Sequence, residues 1–182
     1  MNRKLLMAAS LLLLGGVQGA PQGTLSGQGR TFVDFQPIAT TVVSAGHKAP
    51  VIFTFRIQTG YHINSNQPTA PELIPTQLHF SLPGDVVIGK LQYPAGQLKS
   101  FPFDPTQKLS VYSGDFTIRA VVVAEPQASP GPLTVHGELK YQACDNNACY
   151  PPKKLPITFN VRISPATSGK RVRHNAQSPH IH

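Results

Sequence analysis

The sequence has no tryptophan and only two cysteines, and charged residues make up just 13% of its 182 residues. The absence of tryptophan excludes the buried core tryptophan of antibody-type sandwiches. After the first 20 residues no stretch provides the ~20 apolar residues that a membrane-spanning helix needs, so we expect no stable membrane insertion. The net charge is +8 and there are seven histidines, but we find no phosphate-binding loop, no Ser-His-Asp order and no spaced set of zinc ligands. We therefore predict no metal, no cofactor and no nucleic-acid partner.

An alternation of apolar and polar residues recurs along the chain, as is typical of half-buried β-strands. Glycine and proline, with 15 and 18 residues, supply turns between such strands. No stretch has the period of an amphipathic helix of useful length. The predicted strands cover residues 32–35, 39–43, 50–58, 76–82, 86–93, 115–125, 133–141 and 157–163, and the predicted loops cover 64–72 and 97–108. We predict an all-β fold, and this many short strands favours a sandwich.

The two ends of the chain differ from the part between them. Residues 1–20 combine Arg3 and Lys4 with an apolar run and then small residues, which predicts a signal peptide and export as a soluble protein. Residues 21–30 are rich in glycine, glutamine and serine, so we expect a flexible lead-in. Residues 165–182 are basic and lack an apolar period, which predicts a disordered tail. A single domain is therefore expected over residues 31–164.

Cys144 and Cys149 lie between the last two predicted strands, separated by turn-forming Asp-Asn-Asn. If those strands are hairpin partners, the two cysteines sit opposite each other with Cα atoms roughly 4.5–5.5 Å apart, a distance that permits a disulfide. A ring of about six residues contributes only about 2 kcal/mol in the chain-entropy model, against about 4.7 kcal/mol for a loop of a hundred residues. Two interpretations stay open at this point: a reactive dithiol, or an ordinary hairpin disulfide.

Residues 141–152 contain Tyr-Gln-Ala-Cys and Cys-Tyr-Pro-Pro. Two further stretches accompany them: Gly-Tyr-His-Ile-Asn-Ser-Asn at 60–66 with Leu-Ile-Pro-Thr at 73–76, and Tyr-Pro-Ala-Gly at 93–96 leading to Val-Tyr-Ser-Gly at 111–114. Together they resemble the N-terminal periplasmic domain of DsbD-type thiol:disulfide interchange proteins, from about residue 32 to residue 163. The resemblance implies an immunoglobulin-like β-sandwich that passes electrons by thiol–disulfide exchange. The best-known members have one more residue between the cysteines and continue into a membrane domain and a thioredoxin-like domain, neither of which we find here.

The resemblance also implies roles for the cysteines and their sequence neighbours. Cys149 is expected to form the mixed disulfide with partners, and Cys144 to resolve it. Cations lower the pKa of a nearby thiol and anions raise it, so Lys153 and Asp145 are expected to tune the pair in opposite directions.

In the family an aromatic cap covers the cysteines and opens for a partner. By position Tyr93 is the best match to that aromatic, while Phe101 and Phe103 lie in what resembles an insertion and are further candidates; an aromatic in a polar loop more often packs onto the core. We expect Tyr61, His62 and Tyr150 beside the site or on the partner surface. For His62, a structural hydrogen bond at a strand end is the alternative.

The function implied is a periplasmic relay of the protein-disulfide reductase type. It takes electrons from a membrane-embedded thiol reductase, which the missing membrane domain makes a separate protein, and passes them to periplasmic thioredoxin-like or disulfide-containing proteins. Cytochrome maturation, disulfide isomerisation and thiol repair are all compatible uses. The main alternative is a non-catalytic immunoglobulin-like binding module with a structural hairpin disulfide. A third is a metal-handling protein that uses the thiols with His62 or His136.

Overall fold

Residues 30–166 are described by the structure, a computed structural model, and they contain β-strands and no helix. All of them except Arg30 belong to one unit that begins at Thr31. The strands are β1 (Val33–Gln36), β2 (Thr41–Ser44), β3 (Lys48–Ile57), β4 (His62–Asn64), β5 (Gln77–Ser81), β6 (Val86–Ile88), β7 (Gln97–Phe101), β8 (Asp104–Tyr112), β9 (Asp115–Ala124), β10 (Gly131–Tyr141), β11 (Ala143–Cys144) and β12 (Lys153–Ser164).

Two four-stranded sheets form the body of the fold. One has the strand order β1-β3-β9-β6 and the other β2-β12-β10-β5, and only the β2–β12 pair is parallel among the pairs of these two sheets. The long strands alternate buried and exposed side chains, because successive residues point to opposite faces of a sheet. Phe53 of β3 meets Phe159 of β12 edge to face at 5.2 Å in the core between the sheets. The fold is the predicted all-β, immunoglobulin-like sandwich.

A third sheet, ordered β11-β4-β8-β7, carries the cysteine segment at one edge. It has a small apolar cluster of its own, made of Phe101, Leu109 and Val111 with Leu73 packed against them. The predicted loop over residues 97–108 is wrong, because this segment forms the β7–β8 hairpin with an irregularity between Lys99 and Phe101. Residues 105–108 of β8 are all exposed, so this part of the strand lacks the alternation of apolar and polar residues by which a strand is predicted.

Strands β6 and β4 also differ from the prediction. The strand expected over residues 86–93 stops at Ile88, and its path resumes only at an isolated bridge between Gln92 and Arg119. Gly89 lies in the gap: its amide donates to Val121 O at 2.9 Å, and a Cβ there would come within 2.7 Å of the Val121 side chain. Strand β4 was not predicted because its three residues are all buried and show no alternation.

The predicted signal peptide (1–20), lead-in (21–30) and basic tail (165–182) lie outside the described residues, apart from Arg30, Pro165 and Ala166. They stay predictions. Within residues 30–166, no helix has the length and apolar character required to cross a membrane.

Candidate functional site

Cys144 and Cys149 are joined by a disulfide beyond the end of the long β10–β12 ribbon. Backbone hydrogen bonds from Asp145 N to Ala148 O (2.9 Å) and from Tyr150 N to Ala143 O (2.8 Å) enclose the pair on both sides. This pattern defines a non-hydrogen-bonded antiparallel pair, in which facing Cα atoms approach most closely. Their Cα atoms are 3.9 Å apart. The expected opposition of the two cysteines is therefore present.

The Asp145 carboxylate organises the turn between the cysteines. One oxygen accepts the amides of Asn147 (2.7 Å) and Ala148 (2.9 Å), and the other accepts the Tyr150 hydroxyl at 2.7 Å. The bond from Tyr150, followed by those from the two amides, lowers the pKa of Asp145 below its ordinary value. The same bond raises the pKa of the Tyr150 hydroxyl. The ionised carboxylate thus ties the turn to the residue that follows Cys149.

The two sulfur-bearing residues differ in their access to solvent. Cys144 is 0% exposed, because it lies in β11 and pairs through β11 with β4, where Cys144 faces His62. Cys149 is exposed. Cys149 is therefore more accessible than Cys144 to a thiol from another protein.

Three rings stack beside the disulfide. The His62 imidazole lies 3.9 Å from the Phe101 ring at 12° to its plane, and Phe101 lies 5.5 Å from Phe103 at 10°. Phe101 is buried, whereas Phe103 is 38% exposed. Burial first, and the charge of Lys99 second, lower the pKa of His62 to about 4, so its imidazole is neutral at physiological pH. The structure thus brings these three predicted residues together over the strand that faces Cys144.

A second aromatic group lies on the side of Cys149. Its base is the buried Phe32, whose ring centroid is 4.9 Å from that of Tyr61 and 4.7 Å from that of Tyr150. The Lys153 ammonium lies 5.3 Å from the centroid of the same Phe32 ring. Phe32 therefore contacts three residues that were predicted separately as part of the site, namely Tyr61, Tyr150 and Lys153. Phe32 itself was not predicted as a site residue.

Tyr93 has a different position. Its hydroxyl accepts a hydrogen bond from the Leu78 amide of β5 at 2.8 Å, and its ring packs against the core of the sandwich. Burial raises the pKa of this hydroxyl. His136, the other histidine considered, lies on β10 with Nδ1 3.2 Å from Thr158 Oγ1. In the described part of the chain, no three His, Cys, Asp or Glu side chains are grouped as metal ligands.

Gln142 and Asn64 were not predicted as site residues, yet they connect the two sides of the site. The Gln142 amide donates to Tyr150 O at 3.2 Å, and its oxygen accepts from the Asn64 amide at 3.4 Å. Asn64 also donates to Ile74 O at 3.1 Å. Both residues belong to motifs visible in the sequence, but their contact joins segments 78 positions apart.

A family model, described as the N-terminal domain of the thiol:disulfide interchange protein DsbD, matches residues 30–160. The chain belongs to this family. The role that accompanies membership is thiol–disulfide interchange, which agrees with the presence of the Cys144–Cys149 disulfide and with the exposure of Cys149. No curated protein sequence matches the chain.

Solved structures similar to this member of the DsbD N-terminal family share little sequence with it. The reduced DsbD N-terminal domain of Neisseria meningitidis is 19% identical, over 64% of this chain and 85% of that one, with a TM-score of 0.36. The N-terminal periplasmic domain of ScsB from Proteus mirabilis is 13% identical over 71% of this chain, with a TM-score of 0.42, and this chain spans 47% of its length. A family 123 glycoside hydrolase from Clostridium perfringens is 12% identical, over 70% of this chain and 22% of its own, with a TM-score of 0.36.

Proposed function

We propose that this protein is a periplasmic thiol–disulfide oxidoreductase of the protein-disulfide reductase type. It accepts electrons from a membrane-embedded thiol reductase and passes them to periplasmic thioredoxin-like or disulfide-containing proteins. The exchanging group is the Cys144–Cys149 pair. Family membership supports thiol–disulfide interchange in general, and the direction and partners are part of the proposal.

The observation that carries the proposal is the unequal exposure of the two cysteines. A thiolate of the reducing partner attacks Sγ of the exposed Cys149, and the bond to Cys144 breaks with its electron pair on Cys144 Sγ, which takes up a proton. A second thiolate of the partner then attacks the mixed disulfide and releases Cys149. The partner dithiol has become a disulfide, and this protein now holds a dithiol that reduces a client by the reverse steps.

The β7–β8 hairpin fits the part of a cap. Phe101 stacks on His62, whose strand faces Cys144, and Phe103 stacks on Phe101. Phe101 belongs to an apolar cluster that is separate from the main core. A hairpin with its own small cluster can move without opening the sandwich. We propose that these two aromatics, rather than Tyr93, shield the disulfide from unsuitable thiols, because Tyr93 is bonded to β5.

The alternative of a binding module with a structural disulfide makes a different prediction about exchange. A disulfide that only closes the turn has no need of one exposed and one buried cysteine. In that case, an external dithiol should not reduce the Cys144–Cys149 bond unless the protein unfolds.

The test uses the two single variants and one probe, a thioredoxin that lacks its resolving cysteine and carries thionitrobenzoate on the other. Cys144→Ser leaves Cys149 free, so it should displace thionitrobenzoate and form a lasting mixed disulfide. Cys149→Ser leaves only the buried Cys144, so it should react about tenfold or more slowly, because the rate depends on access. Released thionitrobenzoate measures both rates. Equal rates would contradict the roles assigned to Cys149 and Cys144. If neither variant released thionitrobenzoate, the result would favour a structural disulfide.

A further inference from the structure

Nε2 of His62 is buried and has no hydrogen-bond partner in the described part of the chain. We propose that His62 is a positioning residue whose Nε2 accepts a hydrogen bond from the Cys144 thiol when the disulfide is reduced, and that it thereby favours the dithiol form. The inference rests on the proposed function and adds to it a determinant of the redox equilibrium.

Strand register places the two side chains on one face of the third sheet. His62 of β4 is directly opposite Cys144 of β11, and Cys144 is directly opposite Cys149. Directly opposed residues of antiparallel strands project to the same side, with Cβ atoms about 4.5–5.5 Å apart. His62, Cys144 and Cys149 therefore form one row across three backbone segments. The middle residue of that row, Cys144, is therefore the cysteine whose thiol is placed to face the imidazole.

The oxidised protein leaves this nitrogen in an unfavourable state. His62 is 4% exposed, and Phe101 covers one face of its ring, so the nitrogen has little access to bulk solvent. A disulfide sulfur carries no proton and offers the imidazole nothing stronger than a weak acceptor. A buried polar atom without a partner is destabilising, because it has lost its hydrogen bonds to water and gained none. The unpaired nitrogen therefore destabilises the oxidised protein relative to the reduced one.

Reduction supplies the missing partner. Two electrons and two protons convert the disulfide into two thiols, the electrons coming from the dithiol of the reducing partner, which becomes a disulfide. One of the protons resides on Cys144 Sγ, and Cys144 is directly opposite His62 in the row. Cys144 is buried, so a neutral thiol is favoured over an isolated thiolate. The neutral imidazole is the form that can accept this proton's hydrogen bond.

Two charged groups act on the imidazole from neighbouring elements. Lys99 of β7 disfavours protonation of the ring, and Asp145 of the turn favours it. Lys99 is itself bonded to Ser113 Oγ at 2.7 Å, and the Asp145 carboxylate accepts three hydrogen bonds within the turn. Both charges are thus engaged elsewhere, and neither of them pairs with Nε2 in the described part of the chain.

The experiment measures the equilibrium between the full chain and a glutathione buffer. His62→Phe keeps a flat ring for Phe101 to stack on and removes the nitrogen. The ratio of reduced to oxidised protein should fall about tenfold in this variant, equivalent to a reduction potential about 30 mV lower. The same exchange at an exposed strand position, His79→Phe, should leave the ratio unchanged. An equal ratio in the wild type and His62→Phe would overturn the inference.

A second measurement uses the wild-type protein, so that a folding defect in the variant does not leave the question open. The ring-nitrogen resonances of His62 should move between the oxidised and reduced forms, as expected for a nitrogen that gains a hydrogen bond. Unchanged resonances would also overturn the inference. If the wild type exchanges with glutathione but His62 has no effect, only this inference fails. If the disulfide cannot be reduced without unfolding, the proposed function fails with it.

Discussion

At the scale of single residues, the site contains two pairs of residues, and in each pair one residue is buried and the other is exposed. Cys144 is enclosed by the third sheet while Cys149 is exposed, and Phe101 is buried while Phe103 above it is partly open. Within each pair the buried residue is in direct contact with the exposed one. Such an arrangement lets a partner act on the outer member while the inner one is held by the fold.

The neutral state of His62 has a consequence for stability. Its pKa is about 4 in the folded protein against an ordinary 6.5, so between these values the unfolded chain binds a proton that the folded chain does not. The free energy of unfolding should therefore fall as the pH drops from about 6.5 towards 4, and the part due to His62 should reach about 2–3 kcal/mol near pH 4.5.

Urea unfolding of the wild type and His62→Phe at about pH 7.5 and about pH 4.5 isolates this contribution. The loss of stability on acidification should be smaller in the variant, because its ring does not titrate. Other carboxylates and histidines contribute equally to both proteins and cancel in the comparison. The same loss in both would show that His62 is not held neutral by burial.

The sequence predicted the position of the cysteine pair in a turn better than it predicted the contacts around it. The cysteine pair and its turn could be found from two alternating strands and an Asp-Asn-Asn segment, because both signals are local. The pairing of Cys144 with His62 could not, since it depends on the register of β11 with β4, more than 80 positions away in the chain. Phe32, the base of the second aromatic group, likewise has no local signal.

At the scale of elements, the β7–β8 hairpin is the part that hydrophobic periodicity missed. Its outer half is exposed on both faces, and Pro102 and Pro105 are residues typical of turns. The backbone nevertheless pairs as far as Phe101 and Asp104. Its stability comes from these backbone bonds and from the stack on His62, which no alternation reveals.

If this hairpin is the cap, weakening the stack should expose the disulfide more often. Phe101→Ala removes ring contacts worth about 1 kcal/mol beyond area burial, so reduction by dithiothreitol should become about fivefold faster. Leu98→Ala is the matched control, since Leu98 lies on the same hairpin and is 62% exposed. Stopped-flow measurement of thiol formation gives both rates, and an unchanged rate in Phe101→Ala would rule out the hairpin as a cap.

At the scale of the whole molecule, the main core of the sandwich does not include the redox pair. The core between the two large sheets is made of residues such as Phe53, Ile118 and Phe159, and neither cysteine belongs to it. That ring contributes only about 2 kcal/mol in the chain-entropy model. The sequence predicted this core well because β3, β9 and β12 alternate strictly along their length.

Opening the disulfide should therefore leave the fold intact. The reduced protein should keep the far-ultraviolet circular dichroism of the oxidised one, and its free energy of unfolding should be lower by no more than about 2–3 kcal/mol. This is the condition for a pair that shuttles between two redox states.

The reduction potential of Cys144–Cys149, measured in glutathione or thioredoxin buffers with circular dichroism recorded at each point, tests the central claim most directly. We predict a reversible two-electron transition above about −300 mV, the approximate upper limit for structural disulfides, with the dichroism constant throughout. A pair that stays oxidised until the protein unfolds would contradict the account.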